Sequence, residues 1–102
     1  MLVVVALFEL HIEFAESLKD KRMVVKSLRD KLRRRFEVSA AEVGLQDVHQ
    51  HGRLAIAFIA IEHAVADRMV EKLVDFVESN TDATLTGWTT EKLEFDEEAS
   101  LS

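Results

Sequence analysis

From Leu2 to Phe14 the even positions read Leu, Val, Ala, Phe, Leu, Ile and Phe without a break, a period of two that predicts a strand with one fully buried face. The odd positions begin apolar at Val3, Val5 and Leu7 and turn polar at Glu9, His11 and Glu13, so the opposite face is apolar over only part of its length. Ser17 then marks a helix start. Its hydroxyl can accept from an early backbone N–H, and Asp20, three residues on, gives a shortened capping box that also suits the helix dipole. At about 100° per residue, Leu18, Val24, Val25, Leu28, Leu32 and Phe36 fall in an arc of roughly 120°, the width of a core-facing stripe.

Val38 to Gly44 reads as a second strand, Gln46 to Gly52 as a turn, and Leu54 to Ile61 as a third strand with Leu54, Ile56 and Phe58 on one face. The helical period returns through Val65, Met69, Leu73, Phe76 and Val77, predicting a helix over 64–79 closed by Asn80. Leu85 to Phe95 supplies a last strand. The order strand, helix, strand, strand, helix, strand predicts an α+β, ferredoxin-like βαββαβ fold: a four-stranded antiparallel sheet with both helices on one face. A single domain over residues 1–95 follows, with the acidic end, residues 96–102, expected as a flexible tail.

A chain of 102 residues, 48% of them hydrophobic, can bury a core but is short of the size at which chains divide into domains. The absence of cysteine removes disulfides, thiolate metal sites and cysteine nucleophiles, and no oxidising compartment is needed. Glu9 and Glu13 interrupt the apolar start well before membrane-spanning length. A soluble, cytoplasmic protein without membrane partners is expected.

Charge changes this picture. The chain carries a net charge of −6, yet residues 18–35 hold nine basic and two acidic side chains, a local +7 that leaves −13 for the remainder. Lys19, Arg22, Lys26, Arg29 and Arg33 recur at spacings of three and four and fall within roughly 80° of one helix flank, beside the apolar arc. Like charges so placed repel by a few tenths of a kcal/mol per neighbouring pair, a cost offset by acidic surfaces or by a polyanion. Lys19, Arg22, Lys26, Arg29 and Arg33, with Ser17 at the helix start, are therefore the candidate anion- or nucleic-acid-binding set, and Lys21 of the same run is counted with them. Contacts of this kind are made to phosphate, so no reading of DNA sequence is expected.

An RNA-recognition motif stacks bases on aromatic side chains of its open sheet face. Opposite Leu54, Ile56 and Phe58 stand instead Ala55, Ala57, Ile59 and Ile61. With Val3, Val5, Leu7 and Trp88, the last out of phase with Leu85, Leu93 and Phe95, they predict an apolar patch for a second copy to cover, that is, a homodimer. The expected oligomer interface is Val3, Val5, Leu7, Ala57, Ile59 and Trp88.

Candidate chemistry is sparse. Asp47, His49 and His51 share a loop but lack a firm third metal ligand. Glu9, His11 and Glu13 alternate onto one strand face, which alone does not make an acid–base site. Acylphosphatases share this fold plan but carry a glycine-rich anion loop where this chain has Ala15-Glu16-Ser17. No nucleophile elbow, P-loop or dinucleotide fingerprint is present. The expectation is a protein without catalytic residues, metal or cofactor.

The run Ser17-Leu18-Lys19-Asp20-Lys21-Arg22, the following Leu28-Arg29-Asp30-Lys31-Leu32, and Ala41-Glu42-Val43-Gly44 with Gln46-Asp47 resemble the YlxP-like family (domain of unknown function 503) over about residues 1–95. The resemblance implies a small ferredoxin-like bacterial protein of unproven activity, often encoded near factors for translation initiation and ribosome maturation, and hence an RNA or ribosomal partner. Ser17, Lys19, Lys21, Arg22, Glu42, Gln46 and Asp47 match the family pattern. Glu42 and Asp47 are expected to pair with helix cations and Gly44 to relieve a turn or bulge. The chain departs from the pattern after Asp47, where Val48-His49-Gln50-His51 replaces the usual leucine, tryptophan, glutamine and arginine. The main functional expectation is a non-catalytic RNA- or ribosome-associated protein. The alternative is a homo-oligomeric protein-interaction or small-ligand-binding module whose basic helix pairs with acidic surfaces.

Overall fold

The computed structural model describes residues 1–102. Its elements are β1 (Leu2–His11), α1 (Leu18–Arg35), β2 (Ser39–Gly44), β3 (His51–Ala60), α2 (His63–Ser79) and β4 (Thr84–Glu94). They form one antiparallel sheet in the order β2-β3-β1-β4, the α+β, ferredoxin-like arrangement that the alternation of strand and helix periods implies. No helix is long and apolar enough to cross a membrane.

Period-two alternation decides which strand face meets the helices. Leu2, Val4, Ala6, Phe8, Leu10 and Ile12 are all buried, and so are Leu54, Ile56, Phe58 and Ala60 of β3. Val25, Leu28 and Leu32 of α1 and Ala66, Leu73 and Val77 of α2 complete the same core. The two helices meet at an edge-to-face pair, Phe36 on Phe76, with ring centroids 5.2 Å apart.

Local chemistry sets the element ends. Ser17 Oγ accepts from the Asp20 N–H, and Asp20 Oδ2 accepts from the Glu16 N–H, one residue earlier than in the usual capping box. Asn80 ends α2, its N–H donating to the Val77 carbonyl and its amide to Phe76. β3 begins at His51, three residues before the expected Leu54, because β1 offers pairing partners as far as His11. Gly52 is buried there, and a Cβ on it would lie 3.3 Å from Val25 of α1, so the strand can pass the helix only with a small residue. β2 carries a bulge between Glu42 and Gly44. Residues 96–99, expected to begin a flexible tail, form a turn in which Glu97 pairs with the Met1 ammonium at 2.6 Å.

Candidate nucleic-acid interface

The six candidate cations of α1 divide into three groups according to what the fold brings near them. Lys19, Arg22 and Lys26 are exposed and have no carboxylate partner. Arg29 and Arg33 are partly engaged. Arg29 turns onto Asp30 at 3.1 Å, and Arg33 reaches the edge of the sheet and donates to the Ala40 carbonyl at 2.6 Å. This contact places the basic flank of the helix beside β2, an edge strand.

Lys21 differs from the rest and corrects the expectation that it binds anions. Its side chain is fully buried, with Nζ 2.5 Å from the Leu45 carbonyl and 3.0 Å from Glu42 Oε2. Glu42 faces the helices in phase with buried Ala40, the bulge of β2 follows it, and Leu45, at φ 57°, turns its carbonyl toward the ammonium. Sequence reasoning had a signal for this placement. Lys21 lies four and seven residues before Val25 and Leu28, on the buried arc itself. Its residue type hid the pattern, because a lysine reads as surface until its partner is known. The expected pairing of Glu42 with a helix cation is thus realised by Lys21.

Ser17 is likewise engaged, as the cap of α1. The Asp20 carboxylate already holds the Glu16 N–H, so the first turn carries its own anion. Of the basic flank, the cations left without a protein partner run from Lys19 through Arg22 to Lys26, about 10 Å along the helix axis.

The open face of the sheet holds Val3, Val5, Leu7, Ala57 and Ile59, as expected, with Val5 43% and Ile59 68% exposed. Trp88 is not among them. A bulge shifts the pairing so that Glu9 faces Gly87 while Leu10 faces Leu85, which resets the alternation along β4. Trp88 therefore points to the helix side and stacks on Phe8, centroids 5.0 Å apart at 14°, with its indole N–H donating to Thr90 Oγ1 at 2.9 Å. Leu93 and Phe95, expected in the core, are 63% and 52% exposed.

Toward the other end of the open face, Arg53 pairs with Glu9, and the His11 and His51 rings stack 4.9 Å apart. No three His, Asp or Glu side chains converge in a way that would hold a metal ion.

Comparison with known proteins places the chain in a family. Residues 3–90 match the family described as "Protein of unknown function (DUF503)". The chain belongs to that family. It is also similar to "Uncharacterized protein YlxP" of Bacillus subtilis (strain 168), 31% identical over 65 residues that cover 64% of this chain and 71% of the relative. Three of the residues on which the family resemblance rests, Ser17, Lys21 and Glu42, serve the architecture at the start of α1. Lys19 and Arg22 face solvent, as do Gln46 and Asp47 in the turn after β2.

Proposed function

We propose that this DUF503 protein is a non-catalytic RNA-binding protein, acting on RNA or on a ribosomal particle, that grips phosphate through Lys19, Arg22 and Lys26. The observation that carries the reading is the absence of any carboxylate partner for these three exposed cations in a chain of net charge −6. Acidic side chains are plentiful, yet the fold leaves this flank unneutralised. That is a configuration a polyanion relieves. The open sheet face carries no Phe, Tyr or Trp along β1 and β3, only the His11–His51 pair at its polar end, so the binding would follow backbone charge more than base identity.

The test is titration of labelled ribosomal RNA fragments at several salt concentrations, comparing the wild type with Lys19→Glu/Arg22→Glu/Lys26→Glu. Three neutralised phosphates on a single strand predict a slope of about −2 in log affinity against log salt. Binding lost in the variant supports the proposal; absent binding at low salt, or equal binding by the variant, overturns it. The alternative, a homo-oligomeric interaction or small-ligand-binding module, is favoured by the apolar open face; assembly through that face would survive these substitutions, and the wild type would bind no RNA at low salt.

A further inference from the structure

The open face of the sheet is uneven in three respects, and all three single out one way of covering it. The first is height. At the middle levels β2 and β3 present Ala41, Ala55 and Ala57 while β1 presents Val5 and Leu7, so a low strip lies beside a high one there; at the apolar end Val3, Ile59 and Leu93 are all large. The second is polarity along the strands. The end near Val3 and Leu93 is apolar, and the end near Glu9, Arg53, His11 and His51 is polar. The third is charge. Glu91 stands on the outer β4 edge level with Val5, and Ser39 stands on the opposite edge at that same level, next to the Ala40 carbonyl that Arg33 reaches.

We propose that a second copy of the chain covers this face, the two sheets packing open face to open face about a two-fold axis that runs along the strands between β1 and β3. Rotation about that axis lays the Val5–Leu7 strip of each copy on the alanines of the other and brings the apolar ends together, with Ile59 over the partner's Val3. Val5 comes over the partner's Ala57 and Leu7 over the partner's Ala55. The levels along the strands are unchanged, so apolar end meets apolar end. Glu9 then stands over the partner's Arg53, and Glu91 comes over the edge at Ser39, within reach of the partner's Arg33.

A two-fold axis across the strands fails on each count. It would set alanine rows on alanine rows, β4 on β4, and the Val3 end against Glu9 and His11. Aligned packing of two sheets about 10 Å apart is the geometry of β-sandwiches. Four strands about 4.8 Å apart and ten residues of about 3.3 Å give a face on the order of 600 Å² in projection, comparable with the roughly 800 Å² that each partner contributes to a standard interface. A polyanion is a poor occupant of this face, since Glu9 already neutralises Arg53. The dimer leaves Lys19, Arg22 and Lys26 on its outside, so RNA binding and dimer formation stand or fall separately.

The test combines mass with orientation. Light scattering at micromolar concentration should return twice the 11.6 kDa chain mass. Because the chain has no cysteine, His49→Cys in the β2–β3 turn places one spin label per copy. The proposed axis keeps both turns at the same end, roughly 15–20 Å apart, whereas an axis across the strands separates them by about 35 Å or more. Ile59→Arg, at a residue 68% exposed in the single chain, should give a monomer with an unchanged circular dichroism spectrum. A monomeric wild type, the longer label distance, or an Ile59→Arg protein that remains dimeric each overturns the proposal.

Discussion

The Lys21 ammonium lies 3.0 Å from Glu42 Oε2 and 2.5 Å from the Leu45 carbonyl, at a side chain with no solvent exposure. This contact ties the first turns of α1 to the bulge of β2 and to the turn that follows it. Glu42 Oε2 is buried with no hydrogen-bond donor directed at it, and the lysine charge alone compensates it. Leu45 holds a left-handed conformation, an arrangement that costs an L-residue about 1–2 kcal/mol and that here presents its carbonyl to the ammonium.

Removing only the cation should therefore be more damaging than removing the pair. Lys21→Met is expected to destabilise the domain by about 3 kcal/mol, because it strands a carboxylate that is largely out of water. The double variant Lys21→Met/Glu42→Leu should recover most of that loss. Urea denaturation of the three proteins checks both. A single variant within 0.5 kcal/mol of wild type, the ordinary range for a surface change, would show that the lysine is not buried.

Trp88 provides a test of the bulge in β4. Stacked on Phe8 and facing the helices, it should cost about 3 kcal/mol when replaced by alanine, with Trp88→Phe milder because a ring is kept. As the single tryptophan of the chain, it also reports unfolding by its fluorescence. A loss below 0.5 kcal/mol on Trp88→Ala would place it on the open face.

Lys92 of β4 reaches Asp67 of α2, and the two form a hydrogen-bonded ion pair. The hydrogen bond from Lys92, reinforced by its charge and that of His63 and opposed by desolvation, holds the Asp67 carboxyl below its usual pKa. A carboxyl depressed in the folded state binds protons more tightly when unfolded. Its contribution is then complete above the unfolded pKa of about 3.9 and disappears as the pH falls through the folded value. Asp67→Asn should leave the shape of the stability profile between pH 5 and 8 unchanged and flatten its decline below about pH 4. Denaturation midpoints at a series of pH values provide the comparison; an equally steep acid decline in the variant would refute the assignment.

How the sequence and the fold divide the determination is visible in particular residues. Period two in β1 and the apolar arc of α1 already specify which faces are buried, because one strand or helix carries that information within itself. Ser17 as a cap and Asn80 as a stop are equally local. The same periods fail at Trp88, Leu93 and Phe95. There one inserted residue in β4 reverses inside and outside, and a bulge is defined by pairing with another strand.

The candidate site shows the same division. The sequence by itself determined that α1 carries a concentrated positive flank, since five of its nine cations recur at spacings of three and four, which a helix of fixed pitch gathers onto one side. Only the tertiary structure decided which of these cations stay available. Lys21 enters the core because β2 brings Glu42 and Leu45 to it, Arg33 is drawn to the Ala40 carbonyl, and Lys19, Arg22 and Lys26 meet no acid. The charge of a side chain is a property of the residue, but whether that charge is compensated depends on residues distant in the chain that folding brings to within a few ångströms.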